Sequence, residues 1–171
     1  MMADVQAVEN LTLELSRVFQ AKRENVFRAW IDPDELKHWW GPKGFNTEID
    51  TFNATPGGAY RMCMRAPDNS EHWLHGEFKQ VSPHDFLSMS WIWESGDMAG
   101  HEMLVTITFT AVGDATEIKL THSNLPGEGA VTAHSEGWTS SFECCDDALA
   151  GKPRRSYLVS TSTNMTVSVL L

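Results

Sequence analysis

Three histidines and one glutamate are the side chains of this sequence best suited to proton transfer. His75 precedes Gly76, His122 ends an alternating apolar segment, and His134 falls on an apolar helical stripe. Imidazole titrates near neutral pH and can donate, accept or move a proton at an apolar wall. Paired with Glu48, these histidines would supply the general acid and base of a cyclase-like or hydrolytic reaction. The alternative is that each histidine only satisfies a backbone group or faces water.

The remaining reactive groups argue against metal and nucleophilic chemistry. The sequence contains no His-x-Glu-x-His or Cys-x-x-Cys spacing and no Gly-x-Ser-x-Gly turn. Cys144 and Cys145 are neighbours on a predicted helix and cannot both face one ion, and Cys63 lies on an apolar strand, where thiols are usually inert. Gly57 and Gly58 form a strand-entry turn with no helix opening on it, so they do not build a phosphate loop. We therefore expect no metal, no cofactor and no assignable catalytic residue.

Composition limits the class of partner. The 171 residues carry a net charge of −10, which argues against nucleic acid because phosphate binding needs clustered lysine and arginine. No segment approaches the roughly 20 apolar residues of a membrane span. The first ten residues lack the basic and apolar regions of a secretory signal. The three cysteines, two of them adjacent, favour a reducing cytoplasm over a disulfide framework.

Alternating apolar residues predict a sheet. The clearest pattern runs from Phe86 to Trp93, where the apolar side chains on one face include Met89, Trp91 and Trp93. Turn residues separate this strand from its neighbours. The predicted strands cover residues 11–18, 45–52, 57–65, 72–81, 86–93, 101–111 and 115–124.

Helical periodicity appears in two places. From Lys22 the apolar residues share one helical face until Pro33 ends the helix, and Asp32 or Asp34 can cap a second short helix. A long helix follows Gly129, with acidic residues mostly on its other side. Its buried stripe is predicted to contain His134, Trp138, Ser141, Phe142, Cys145, Ala148 and Leu149.

This order of elements predicts an α+β fold. A curved antiparallel sheet of about six or seven strands would wrap around a long C-terminal helix, with two short helices after the first strand. We expect one domain over residues 11–150, an N-terminal tail over 1–10, and a C-terminal tail or extra edge strand over 151–171. Edge strands also make a homodimer possible.

Large apolar side chains converge on the space between this sheet and its helix. A sheet curved around one helix leaves such a space, and ligand pockets are typically apolar with a few polar groups. The competing interpretation is that these rings simply fill the core. The candidate cavity residues are Trp40, Met62, Met64, Trp73, Met89, Trp91, Trp93, Trp138 and Phe142, with the polar Glu48, His75, His122 and His134.

Several short motifs together resemble one known family. They are Val26-Phe27-Arg28-Ala29-Trp30, Trp39-Trp40-Gly41-Pro42, Pro56-Gly57-Gly58-Ala59-Tyr60-Arg61 and Gly137-Trp138, in that order. This combination is similar to the domain of the activator of heat-shock-protein-90 ATPase homologues, within the START-like helix-grip superfamily. The resemblance spans about residues 11–150. It implies a helix-grip fold with a cavity, in a superfamily that includes ligand carriers, polyketide cyclases and a co-chaperone domain.

Three functions remain open at this stage. The first is a stand-alone domain that binds a small apolar or aromatic ligand between sheet and helix, with no reaction assigned. The second is a cyclase- or hydrolase-like enzyme that uses the histidines and Glu48. The third is a protein-interaction module such as a regulator of a chaperone ATPase.

Overall fold

The computed structural model describes residues 10–154. Within them a single antiparallel sheet has the strand order β1-β7-β6-β5-β4-β3-β2. Its strands are β1 Leu11–Phe19, β2 Asn46–Phe52, β3 Ala59–Arg65, β4 Glu71–Ser82, β5 Phe86–Trp93, β6 Met103–Val112 and β7 Ala115–Leu125. Its helices are α1 Arg23–Ile31, α2 Pro33–Leu36 and α3 Glu128–Leu149. The predicted curved sheet with two short helices and one long C-terminal helix is confirmed.

Local sequence explains where the helices begin and end. The side chain of Asp32 accepts a hydrogen bond from the backbone N–H of Asp34 over 2.9 Å, and Pro33 occupies the first turn of α2. This is the predicted cap, in which a short acidic side chain satisfies an N–H that the helix leaves free. After α3, Gly151 adopts a φ of 72°, the left-handed conformation that favours glycine at a helix end.

The chain order places the helices on one face of the sheet. β1 and β2 are the two edge strands, so the segment between them must cross the whole sheet, and it carries α1, α2 and the loop after α2. α3 packs against β1 and β7 on that same face. We call this covered side the inner face and the opposite side the outer face.

The strand period of two sorts the side chains between these faces. In β3, Tyr60, Met62 and Met64 are buried on the inner face, and in β5 so are Met89 and Trp91. The pairings shift by one residue in three places: between Leu11 and Leu13, between Ile49 and Thr51, and between Phe78 and Gln80. Such bulges bend strands, which is what a sheet wrapped around a helix requires.

Two residues lie on the side opposite to the one that their polarity suggests. Val18, although apolar, is 45% exposed, because the inward alternation of β1 continues through Arg17 and Phe19. Asp147 is buried at 6% exposure, whereas the acidic residues of α3 were expected mostly on its polar side. The predicted tail beyond residue 154 lies outside the described residues, as do residues 1–9.

Candidate functional site

Tryptophan rings from three different elements meet on the inner face. Trp40 follows α2, Trp91 belongs to β5, and Trp138 belongs to α3. The ring centroids are 5.7 Å apart for Trp40 and Trp91, 5.4 Å for Trp40 and Trp138, and 5.3 Å for Trp91 and Trp138. Trp93 and Phe142 extend the group at 5.5 Å from Trp91 and 5.6 Å from Trp138. These five rings, all among the predicted cavity residues, lie together on the inner face.

A small interior space lies among these rings. Its volume is about 30 Å³, roughly the share of one water molecule in the liquid. The aromatic side chains therefore nearly fill the grip in this state. The residues that line this interior space are Trp40, Gly41, Pro42, Met64, Trp91, Trp93, His134, Gly137, Trp138 and Ser141.

Four other predicted cavity residues are buried nearby without lining the space. Met62, Met89, His122 and Phe142 are all less than 4% exposed and belong to the surrounding core. For these residues, the structure supports burial on the inner face and no direct contact with the interior space.

His134 is held neutral by its two hydrogen bonds. Its Nε2 accepts from the indole N–H of Trp93 over 3.1 Å, and its Nδ1 donates to the backbone oxygen of Ala130 over 2.8 Å. An imidazole that accepts at one nitrogen and donates at the other is the neutral Nδ1–H tautomer. Burial lowers the pKa of His134 and favours the same neutral form.

His122 lies directly behind His134, with 4.5 Å between the ring centroids. Its Nδ1 accepts from the indole N–H of Trp138 over 3.1 Å, so its proton is on Nε2. Burial, and then the proximity of His134, lowers the pKa of His122 well below its usual value. The pair is thus two neutral imidazoles in a buried aromatic wall.

Two N–H groups of this wall have no acceptor among residues 10–154. They are Nε2 of His122 and Nε1 of Trp91, both fully buried, and their rings are 5.1 Å apart. The indole nitrogen of Trp30 is also buried without an acceptor there, but Trp30 does not line the interior space. An unmet buried donor costs about 1–3 kcal/mol, and native proteins leave few of them.

The loop that closes the space is attached by hydrogen bonds to α3 and to the segment after it. We call residues Trp39–Pro42 the tryptophan loop. The guanidinium of Arg154 donates to the backbone oxygens of Lys37 over 3.0 Å and Trp40 over 2.6 Å. The backbone N–H of Lys43 donates to Ser140 of α3 over 2.9 Å. These contacts help to hold Trp40 over the interior space, and the hydroxyl of Thr47 also donates to the backbone oxygen of Trp40 over 2.6 Å.

Three predicted cavity residues are on the wrong side of the sheet. Glu48 pairs with Cys63 and Cys63 with Trp73, while Arg61 pairs with His75, so all five share the outer face. The prediction that Glu48, Trp73 and His75 line the cavity was wrong. The alternation of β4 buries Leu74 instead, and Trp73, although apolar, is covered from outside.

The outer face carries its own network of paired side chains. The Arg61 guanidinium lies 3.9 Å from the centroid of the Trp73 ring and makes two hydrogen bonds of 2.9 Å to Glu94. Nδ1 of His75 is 3.1 Å from the same carboxylate. Hydrogen bonding from Arg61 lowers the pKa of Glu94. An open depression of about 700 Å³ borders this network, and its charged groups already pair with one another.

This arrangement removes the acid–base pair predicted with Glu48. The sheet separates the inner His122 and His134 from the outer His75 and Glu48. Within the described residues no three histidine, cysteine or carboxylate side chains are placed to hold a metal ion. Cys63, Cys144 and Cys145 are free and buried, and burial raises the pKa of each, which keeps them as unreactive thiols.

Sequence reasoning missed some residues of the site. Gly137 lines the interior space one helical turn before Ser141. Two small residues at i and i+4 on a buried helix face indicate that space is left beside the helix, and this pattern could have been recognised in the sequence. Arg154 was assigned to the tail. Nothing local in the sequence distinguishes it from the neighbouring Arg155.

Among residues 10–154, no helix is long and apolar enough to cross a membrane. No curated protein matches the chain.

Solved structures share this architecture over most of their length. A crystal structure of a protein from Chromobacterium violaceum is 25% identical to this chain, with a TM-score of 0.76, covering 81% of this chain and 96% of that one. The crystal structure of an AHSA1 protein from Silicibacter pomeroyi is 26% identical, with a TM-score of 0.74 and coverage of 82% and 98%. A solution structure from Arthrobacter aurescens, at 20% identity and a TM-score of 0.77, covers 95% of this chain and 96% of that one and shows the same fold.

The family described as Activator of Hsp90 ATPase homolog 1-like protein matches residues 20–149. That range runs from the end of β1 to the last residue of α3, and so contains the tryptophan loop and the whole aromatic wall. The chain therefore belongs to the Activator of Hsp90 ATPase homolog 1-like protein family.

Proposed function

We propose that this domain binds a small apolar or aromatic ligand between the sheet and α3. The observation that carries the proposal is the interior space itself, which four tryptophans line and a loop closes. Aromatic rings offer large apolar area and the indole N–H offers a polar contact, the combination typical of small-molecule sites. Membership of a helix-grip family is consistent with such a role.

Binding requires the tryptophan loop to move. The space is about 30 Å³, whereas a cavity that holds a single benzene ring is on the order of 150 Å³. Trp40 is the ring that can move most easily, because it lies on a loop, whereas Trp91 lies on a strand and Trp138 on a helix. The ligand would take the position that the Trp40 ring occupies in the closed state.

Thermal unfolding with a panel of ligands tests this proposal. The panel contains aromatic metabolites, polyketides, sterols and fatty acids. A ligand present at 100 times its dissociation constant adds roughly 2.7 kcal/mol of stability, which is on the order of 5–10 °C in Tm for a chain of this size. A saturable shift from one chemical class supports the proposal. A flat panel contradicts it and favours a protein partner, such as a chaperone ATPase.

A matched pair of variants connects the shift to the site. Ser141 lines the interior space, whereas Thr139 is exposed on the same helix. Ser141→Leu places about three extra carbon atoms into a space that holds one water, so it should abolish the ligand-induced shift. Thr139→Leu should leave the shift intact. If the two variants show the same ligand-induced shift, the ligand binds at a site other than the interior space.

The acid–base enzyme has less support than ligand binding. Its predicted carboxylate lies across the sheet from the two inner histidines, and both of these are held as neutral, hydrogen-bonded rings.

We infer cytoplasmic location from the three free buried thiols, which suit a reducing compartment. A homodimer through the edge strands β1 or β2 stays a proposal, and light scattering after gel filtration tests it.

A further inference from the structure

The aromatic wall presents hydrogen-bond donors without acceptors. Trp91 lines the interior space, and His122 lies behind it, with 5.1 Å between the two ring centroids. Nε1 of Trp91 and Nε2 of His122 are both buried and neither finds an acceptor among residues 10–154. By contrast, the indoles of Trp93 and Trp138 both donate to histidines. The polar atoms of this wall that lack a partner are therefore donors. A ligand would satisfy such a donor with an acceptor, that is, an oxygen with free lone pairs.

The same wall offers no charge. No residue that lines the interior space is acidic or basic apart from His134, which is neutral because it accepts from Trp93. Arg154, which is bonded to the tryptophan loop, does not line the space, and its terminal nitrogens donate to backbone oxygens, while its buried Nε has no acceptor among residues 10–154. An ionised ligand would lose its water here without gaining a partner, and that loss is large in a dry interior.

We propose that the ligand of this interior space is uncharged and carries a carbonyl oxygen that accepts a hydrogen bond from Nε1 of Trp91. This inference rests on the proposed function and narrows it from apolar or aromatic molecules to neutral ketones, quinones, lactones and similar compounds. A carbonyl oxygen accepts hydrogen bonds and brings no donor of its own. A hydrocarbon would leave the indole N–H of Trp91 unmet, and a carboxylate would be buried without a counter-ion.

Three probes of nearly equal shape test the oxygen and the charge separately. Acetophenone carries the carbonyl, α-methylstyrene replaces that oxygen by a methylene group, and benzoate carries a negative charge. Their dissociation constants are measured on the full chain by following the indole N–H resonances of the tryptophans in 15N-labelled protein. We expect acetophenone to bind at least about fivefold more tightly than α-methylstyrene, the effect of one net hydrogen bond. Hydrophobic transfer alone favours α-methylstyrene, so the expected order is opposite to that of the hydrophobic effect.

Two tryptophan variants localise the preference. Trp91→Phe removes the unmet N–H of a ring that lines the space, and Trp30→Phe removes an equally buried, equally unmet N–H of a ring that does not line it. The ratio of the two dissociation constants should fall towards one in Trp91→Phe and remain unchanged in Trp30→Phe. In wild-type protein the Trp91 indole proton should shift downfield with acetophenone only, which tests the contact even if a variant does not fold.

The outcomes separate this inference from the proposed function. If α-methylstyrene binds as tightly as acetophenone, the interior is a ligand site in which the Trp91 donor has no role, and the inference is overturned. Tightest binding by benzoate would overturn the uncharged part. If none of the three probes moves any interior resonance while a member of the thermal panel raises the Tm, the inference is overturned and the proposed function stands. If the panel is flat as well, the proposed function itself fails.

Discussion

The indole N–H of Trp138 on α3 donates to Nδ1 of His122 on β7 over 3.1 Å. A second bond of the same kind runs in the opposite direction, from Trp93 on β5 to His134 on α3, also over 3.1 Å. The long helix is thus joined to the sheet by two tryptophan–histidine bonds, in each of which the indole can donate only to an unprotonated imidazole nitrogen. Protonating either histidine breaks its bond, so the contact between helix and sheet depends on two neutral rings.

Stability should therefore fall as the pH drops below about 6.5. Burial lowers the folded-state pKa of His122 and of His134 from the ordinary value of 6.5. In that range the unfolded chain binds protons that the folded chain does not, so the free energy of unfolding decreases towards acid. The slope is at most about 1.4 kcal/mol per pH unit for each histidine, and the contribution of the two histidines levels off above about pH 7.5. Urea unfolding between pH 4.5 and 8.5 measures it.

Salt distinguishes this titration from surface ion pairs. Glu94, whose pKa Arg61 lowers, contributes stability that is lost only below its ordinary value of 4.5. Screening by 0.5 M NaCl weakens exposed pairs and leaves desolvation of a buried ring nearly unchanged. The slope between pH 4.5 and 6.5 should thus persist in salt and decrease in His134→Gln. A slope that disappears with salt would assign it to the surface.

Trp138→Phe tests the bond itself. The variant keeps an aromatic ring but leaves Nδ1 of His122 buried without a donor, which costs about 1–3 kcal/mol beyond the loss of packing. Phe142→Leu, a substitution in the neighbouring ring that breaks no hydrogen bond, gives the packing cost alone. The difference between the two, measured by urea unfolding, should fall in that range. Long-range 15N spectra should show a raised His122 pKa in Trp138→Phe, and an unchanged pKa would count against the bond.

The strand period made most of the fold predictable. In β5 every inner residue is apolar, so residues 86–93 were predicted with the observed ends. Pro33 and the capping Asp32 marked the break between α1 and α2 in the same way. Other boundaries moved by one or two residues, because strand ends depend on pairing partners that the sequence alone does not reveal.

The candidate site was harder to predict, because a strand pattern assigns two faces without saying which face is covered. In β4 the large apolar residue Trp73 suggested the wrong side, since its ring lies on the outer face and is shielded by Arg61 from the adjacent strand. Similarly, Arg154 reaches the tryptophan loop across 114 residues of chain. Contacts of this kind arise only when the fold brings distant segments together.

Loosening the tryptophan loop should open the interior space. Arg154→Gln removes the guanidinium that donates to the backbone oxygens of Lys37 and Trp40. Burial lowers the pKa of Arg154, so the loss of a poorly solvated charge offsets part of the lost bonding. We therefore expect only a small change in Tm. Hydrogen exchange at the amides of Lys43 and Phe45 should become faster by roughly tenfold or more, because the loop opens locally.

A second arginine provides the control for this loop prediction. Arg17 of β1 pairs with Asp146 of α3, away from the tryptophan loop. Arg17→Gln should leave the exchange of the loop amides unchanged. If both variants accelerate exchange equally, the effect is global destabilisation and the loop is not a separate opening unit.

Two glycine substitutions should change stability in opposite directions. A Cβ at Gly76 would overlap the backbone oxygen of Ser90 and lie 2.8 Å from the hydroxyl of Tyr60, which itself donates to that oxygen over 2.6 Å. None of these atoms belongs to a flexible chain end, so Gly76→Ala should cost about 3 kcal/mol or more.

At Gly129, in the first turn of α3, a Cβ meets nothing within 4 Å. Gly129→Ala should stabilise the protein by about 0.5–1 kcal/mol, because alanine loses less backbone entropy in a helix. Urea unfolding measures both, and a Gly76→Ala variant as stable as wild type would show that β4 and β5 lie further apart at this point than described.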